Sequence, residues 1–239
     1  MRFRMRIANY ACLDLARQGR TGIPEVVLAE GKKPAHLQRI VGAMLHKNGR
    51  AIVTRASGGA FRSLSRLPGR HQKYAEAGVM VLTLASFRPP PPGGTVGILC
   101  AGTSDFRVAE EARITAEQLG CRTVHAYDVG VAGVHRLIEA LDRMRKQGVD
   151  VYIAVAGREG ALPTLLAGMV DKPVIGVPAS TGYGMAGRGK SALYAMLQSC
   201  SPLAVVNIDA GFVAGAVAAQ IARTSRVPER GRVPRKGRC

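Results

Sequence analysis

Four short stretches of this chain hold residue types that can do chemistry. In LYAMLQSCSPLAVVNIDAGF, residues 193–212, Cys200 ends an apolar helical run that Ser201-Pro202 then stops. The thiol is either packing or a nucleophile. Free cysteine is among the most buried residue types, and a helix C-terminus disfavours a thiolate, so residue chemistry by itself favours packing. In AGTSD, residues 101–105, Gly102 allows close backbone approach to a ligand, while Thr103 and Ser104 offer hydroxyls beside helix N-terminal amides. Ser104 or Asp105 acting only as an N-cap would use the same chemistry. In AGREGALP, residues 156–163, Glu159 falls in the expected first turn of a helix, where the dipole favours a carboxylate whether or not it works as a base. GMAGRGKS, residues 184–191, matches the phosphate-loop pattern G-x-x-x-x-G-K-[ST]. However, Pro178 and a six-residue loop separate it from the preceding strand. It also follows the fourth strand of its unit, whereas such loops normally follow the first. Lys190 as a plain positive charge near a phosphate is the other reading.

The elements that must position these stretches alternate. Residues 34–48 place Leu37, Ile40, Val41, Met44 and Leu45 at helical spacing, and AIVTRA and GVMVLTLAS read as strands. SFRPPPPGG breaks the chain near 89–94, with four prolines to stiffen it and two glycines to release it. This gives a basic α+β unit over 1–90 and a second unit over 94–225. In the second unit, strands TVGILCAG, CRTVHAYDVG, VDVYIAVAG, KPVIGVPAS and LAVVNIDAG alternate with helices. Val/Ile-rich strands between helices predict a five-stranded, flavodoxin-like parallel sheet in three layers, with ligands beyond the carboxyl ends of the strands. Those ends carry AGTSD, YDVGVAG, AGREGALP, PASTGYG and NIDAG. They place Tyr127, Asp128 and Gly130, then Gly157, then Ser180, Thr181 and Gly182 at one rim. The basic tail, 226–239, has no apolar periodicity and is expected to be disordered.

Composition limits the function classes. The net charge of +18 is uneven: residues 1–88 hold 16 Lys/Arg against 4 Asp/Glu, while 89–225 hold 12 against 11. A uniformly basic nucleic-acid binder would look different, and attraction of a phosphate-bearing ligand is the functional reading. Five cysteines without a C-x-x-C pair suggest neither a zinc site nor a disulfide framework. No signal-peptide-like start and no membrane-spanning run is visible, so a reducing cytoplasm is expected, with no membrane or nucleic-acid partner. The rival readings are a P-loop nucleotide hydrolase and a nucleic-acid-binding module built from the basic ends.

Taken together, AGTSD, AGREGALP, DKPVIGVPAS and NIDAGF resemble the PurE-type carboxylase domain, which acts on an aminoimidazole ribonucleotide. That family carries a histidine-containing SAHR-like segment where this chain reads AYDVGVAG. With DLARQGRTGIPEVV, VTRA, YDVGVAGVHRL, STGYG, LQSC and VVNIDAGF added, the chain from Asp14 to Ala222 looks like the LarB family of nickel-pincer cofactor biosynthesis. It departs from that pattern at Lys190-Ser191 and at Ala210, where Asn is commoner. The resemblance implies carboxylation of the pyridinium ring of nicotinic acid adenine dinucleotide and hydrolysis of its phosphoanhydride, with CO2 or bicarbonate as co-substrate. It implies Cys200 as the thiol that adds to the ring and Glu159 as the carboxylate that takes the ring proton or orients the ring. Ser104 and Asp105 would sit at the ribose or phosphate, Ser180 to Gly184 at the CO2 or nicotinate pocket, and Arg55 at the pyrophosphate. No tightly bound cofactor is expected. A magnesium ion would aid the hydrolysis, although no dedicated ligand cluster is visible. A homo-octamer or another homo-oligomer is implied, and an aminoimidazole ribonucleotide carboxylase or mutase is the nearest alternative enzyme.

Overall fold

The computed structural model describes residues 4–185 and 187–225, so the expectation for the tail lies outside the described residues. The first unit opens with a hairpin, β1 (Arg4–Ile7) and β2 (Ala11–Asp14), and a short helix α1 (Arg17–Thr21). It continues through β3 (Val26–Leu28), α2 (Pro34–Asn48), β4 (Arg50–Thr54), α3 (Gly58–Leu64), β5 (Arg70–Tyr74) and β6 (Val79–Thr83). Its sheet runs β3-β4-β6-β5, with β3 parallel to β4 and the other pairs antiparallel. α2 starts on Pro34, buries Leu37, Ile40, Val41, Met44 and Leu45, and ends on Gly49 at φ 68°. That is the helical pattern the spacing predicts. β5, RHQKY, carries no apolar run; its strand form comes from pairing with β6.

The second unit contains β7 (Thr95–Cys100), α4 (Phe106–Gln118), β8 (Arg122–Ala126), α5 (Val134–Lys146) and β9 (Val151–Ala156). It closes with α6 (Ala161–Ala167), β10 (Val174–Pro178), α7 (Lys190–Leu197), β11 (Ala204–Val205) and α8 (Gly211–Thr224). All five strands are parallel in the order β11-β10-β9-β7-β8. This is the doubly wound order that the alternation predicts. The chain reverses direction between β7 and β9, and crevices for ligands open at such a switch point. β7 buries both faces: Val96, Ile98 and Cys100 pack toward α4 and α8, and Leu99 packs toward α5 and α6.

α8 lies on α4 with almost no side chain between them. A Cβ at Gly211 would stand 2.4 Å from the Val108 carbonyl, and one at Gly215 would stand 2.4 Å from the Ala112 carbonyl. These two glycines, one turn apart on an alanine-rich helix, set the spacing of that layer.

The junction between the units is packed. Ile114 of α4 sits among Ile52, Val79 and Val81 of the first sheet. The buried Arg50 donates to the Gln118 carbonyl at 2.5 Å and lies over the Phe87 ring at 4.6 Å. Burial lowers its pKa to about 10. The proline-rich connection is held as well, because Gly93 donates its amide to the Gly120 carbonyl at 2.7 Å. A Cβ at Gly94 would come within 2.4 Å of the Asp150 carboxylate. Its glycines therefore serve close packing, where the sequence suggested release.

Gly215→Ala is expected to push α8 off α4 and cost about 1–3 kcal/mol of stability, the usual range for overpacking, read as a lower urea midpoint at unchanged slope.

Candidate functional site

A cavity of about 210 Å3 opens at the switch point, lined by the segments that follow β7, β8, β9 and β10. Asp105 organises it. This buried carboxylate accepts the Gly102 amide at 3.1 Å through one oxygen and the Thr181 hydroxyl at 2.5 Å through the other. The loops after β7 and β10 are thereby tied together across the site. Gly157 passes between them, where a Cβ would meet the Thr181 hydroxyl at 2.6 Å and the Asp105 carboxylate at 3.1 Å. Gly182 and Gly130 are similarly confined, the first against the Arg158 amide at 2.7 Å and the second against the Ala101 carbonyl at 2.7 Å. The small residues at this rim follow from backbone-to-backbone packing.

Glu159 lines the cavity. It stands before α6, whose N-cap is Gly160, and not within its first turn as the sequence suggested. Among the described residues its carboxylate has no hydrogen-bond or ion-pair partner, so it is available to a ligand. Next to it, Arg158 donates to the Tyr183 hydroxyl and stacks on that ring at 4.6 Å, forming an exposed lip. Beneath the cavity, Cys100 donates its thiol to the Gly102 carbonyl at 3.4 Å, and burial pushes its pKa up to about 11. That thiol stays protonated and inert.

A second cavity of about 230 Å3 adjoins the first through Ser104 and Thr181 and faces the amino-terminal unit. It holds Ser180, Arg55, Arg107, Glu111 and Asp209. Asp209 accepts the Ser180 amide at 2.8 Å, and its carbonyl accepts from Arg55 at 3.3 Å, joining the two units at the rim. Three non-glycine residues that line these cavities hold left-handed backbones: Arg55 at φ 49°, Arg158 at 36° and Asp209 at 54°. Such conformations persist where surrounding structure over-determines them, and they gather at binding sites.

The structure thus brings Gly102, Ser104, Asp105, Gly130, Gly157, Glu159 and Thr181 to one cavity, with Ser180 and Arg55 at the next. Thr103 and Gly182 line neither, although the Gly182 amide backs onto Gly157. Tyr127 is a correction. Its phenol donates to Glu110, which Arg113 also grips at 2.6 and 2.8 Å, and burial drives the phenol pKa far upward. Its ring packs edge-on against Phe106 at 4.9 Å. Asp128 is a second correction, being an exposed partner of Arg136 outside both cavities.

Cys200 lies outside both cavities within one copy. It is exposed, but α7 leaves the rim at Lys190 and carries the chain away for eight residues, roughly 12 Å at helical rise. Ser201, its neighbour, lies against Gly168 just past the end of α6, at the far edge of the sheet. A parallel crossover must return the chain to the start of the next strand. Within one copy, therefore, the thiol does not meet Glu159. The phosphate-loop pattern also fails on geometry: the amides of Gly187 and Arg188 donate at 3.2 Å to the carbonyls of Gly184 and Gly182, where a phosphate cradle needs them free.

Sequence reasoning missed Asp209, Arg158, Arg107 and Glu111. Asp209 and Arg158 sit in the quoted motifs NIDAG and AGREGALP, so a signal existed. Arg107 and Glu111 lie on α4 and look like ordinary surface charges. Among the described residues, no group of three or more His, Cys, Asp or Glu is placed to hold a metal ion. Among those residues, no helix is long and apolar enough to cross a membrane.

This is an α/β protein with a glycine-lined, hydroxyl-bearing cavity at the switch point of its parallel sheet, the place where such folds bind small ligands. The chain belongs to the AIR carboxylase family, whose profile matches residues 95–234, and it carries a LarB/PurE-like N-terminal domain over residues 5–84, the pairing of a LarB-type protein. It is 44% identical over 222 residues, 88% of this chain and 83% of the relative, to an uncharacterized protein of Methanocaldococcus jannaschii. It is 38% identical over 132 residues to a probable N5-carboxyaminoimidazole ribonucleotide mutase of Methanothermobacter thermautotrophicus, covering 53% of this chain and 37% of that one. An N5-carboxyaminoimidazole ribonucleotide mutase of M. jannaschii is 33% identical over 127 residues, 52% of this chain and 76% of its own. The catalytic unit is thus of the carboxylase and mutase type.

Glu111 supplies a test of the second cavity. Burial outweighs the attraction of Arg55 and Arg107 and raises its pKa from 4.5 to about 7. The folded state then binds the proton more tightly than the unfolded chain, so stability is highest below pH 4.5 and falls as the pH rises toward 7. Glu111→Gln is expected to raise the melting temperature at pH 8, by the equivalent of roughly 3 kcal/mol at most, and to change it little at pH 4.5.

Proposed function

We propose that this protein carboxylates the pyridinium ring of nicotinic acid adenine dinucleotide and hydrolyses its phosphoanhydride, giving a pyridinium dicarboxylate mononucleotide and AMP. The observation that carries this reading is the uncommitted Glu159 carboxylate in a cavity at the rim of an AIR-carboxylase-type sheet, one opening away from Arg55 and Arg107. A ring in the first cavity would have its phosphates within reach of the second. The mutase reading is weaker because none of the described residues lining the first cavity is a histidine, and His125 instead stacks on Tyr127 at 4.9 Å.

The chemistry divides into balanced steps. A thiolate adds to the ring carbon beside nitrogen, and the ring electrons move onto nitrogen. The resulting enamine attacks CO2 through the carbon across the ring, forming the new C–C bond. Glu159 takes the proton from that carbon, the C–S bond breaks, and aromaticity returns with the thiolate released. Hydrolysis adds water across the P–O–P linkage to give two monophosphates. The ring's positive charge favours the thiolate form of a nearby cysteine.

In this scheme Cys200 is the thiol, and it serves a neighbouring copy. It follows α7, which exposes Tyr194 and Leu197, 57% and 62% accessible, an apolar face suited to contact with a second chain. The assembly is then a homo-oligomer whose sites draw on two chains.

Mass spectrometry after mixing the full chain with the dinucleotide and bicarbonate should find the dicarboxylated mononucleotide and AMP; unchanged dinucleotide would end the reading. Cys200→Ala and Glu159→Gln are each expected to lower carboxylation at least a hundredfold. Co-refolding the two inactive chains should restore a substantial part of the activity, because some sites then pair an intact Cys200 with an intact Glu159. No recovery would return Cys200 to a role within its own copy.

A further inference from the structure

A third cavity lies between α2, α3 and β5 of the amino-terminal unit and opens onto the second cavity through Glu30, Arg55 and Arg107. Its volume is about 690 Å3. Small-molecule sites run from about 300 to 1,000 Å3, so the first cavity, at about 210 Å3, holds a ring and little more. The third has the space for a nucleoside.

Its lining has two characters. Leu37, Ala56 and Phe61 give an apolar floor. Lys32, Arg55, Lys73 and Arg107 face Glu30 and Glu76, four cations against two carboxylates. Arg55 pairs with Glu30 at 3.2 Å, an exposed contact of the weak kind that a phosphate can replace. Lys32, Lys73 and Arg107 make no ion pair among the described residues, although the Lys73 ammonium lies 5.0 Å from the Phe61 ring. Such a pocket is built for a flat apolar group carrying a phosphate at its open end. The basic excess of the first 88 residues is spent partly here, next to the sheet that does the chemistry.

We propose that this third cavity is a nucleoside 5′-monophosphate site, which holds the nucleotide half of a dinucleotide while Arg55 and Arg107 span its two phosphates and the other half reaches the cavity at Glu159. The full dinucleotide form rests on the function proposed above; the nucleotide site itself does not. The amino-terminal unit is then a substrate-binding unit, and cleavage of the phosphoanhydride leaves one monophosphate in each cavity.

The test uses the intact chain with AMP as probe, by titration calorimetry. AMP is expected to bind the unaltered protein, and Lys32→Glu/Lys73→Glu should weaken binding at least tenfold. Both lysines are exposed, so the charge reversal spares the core, and an unchanged melting curve confirms folding. Where the dinucleotide is turned over, the double variant should raise its KM at least tenfold with kcat little changed. Failure of AMP to bind the unaltered protein, or equal affinity of the double variant, would overturn the site. If no dicarboxylated product forms while the double variant still loses AMP, the carboxylation reading falls and the nucleotide site stands.

Discussion

The site depends on one buried carboxylate. Asp105 accepts the Gly102 amide and the Thr181 hydroxyl at the same time, and so fixes the loops after β7 and β10 at a set separation. A buried carboxylate is tolerable only when its oxygens are satisfied, which makes this arrangement stiff. Gly157 and Gly182 thread the space that remains, and the loop between them presents Glu159 to the cavity. A rim that looks merely small and polar in the sequence is a clamp with backbone packed inside it.

The same physics joins the two units. Ile114 reaches from α4 into the first sheet, Arg50 reaches back to the end of α4, and Arg55 reaches across to Asp209. These contacts hold the basic wall of the amino-terminal unit against the rim of the parallel sheet. Between them run three connected cavities, of which only the one farthest from Glu159 holds an excess of cations, four against two carboxylates. A ligand with a cationic ring at the Glu159 end and a phosphate toward the far cavity matches that distribution.

Connectivity constrains the chemistry in turn. Every helix that follows a strand in a parallel sheet begins at the rim and ends at the far edge. A functional residue at the end of α7 is therefore separated from its own rim by the length of that helix. Cys200 is legible in the sequence as a candidate nucleophile, and the fold displaces it from the cavity it would serve. In the proposed function this turns a geometric obstacle into a requirement for association.

Much of the architecture was legible because it rests on local patterns. The alternation of Val/Ile runs with helical spacing marks β7 through α8 in order, and Pro34, Asn48 and Gly49 mark both ends of α2. The glycine-rich strand ends point to the rim, since parallel sheets bind there whatever their ligand. β5 and the β1–β2 hairpin were not legible, since their strand form comes from pairing with distant segments and not from their own side chains. Tyr127 could not be told from a ligand contact until its hydroxyl was seen on Glu110. Glu111 and Arg107 could not be told from ordinary surface charges until α4 was set against the first unit. The sequence by itself determined the elements, their order and the residue types at the rim, because these follow from periodicity and turn chemistry along the chain. Only the tertiary structure decided which of those residues share a cavity, because that depends on loops far apart in sequence being held together by groups such as Asp105 and Asp209.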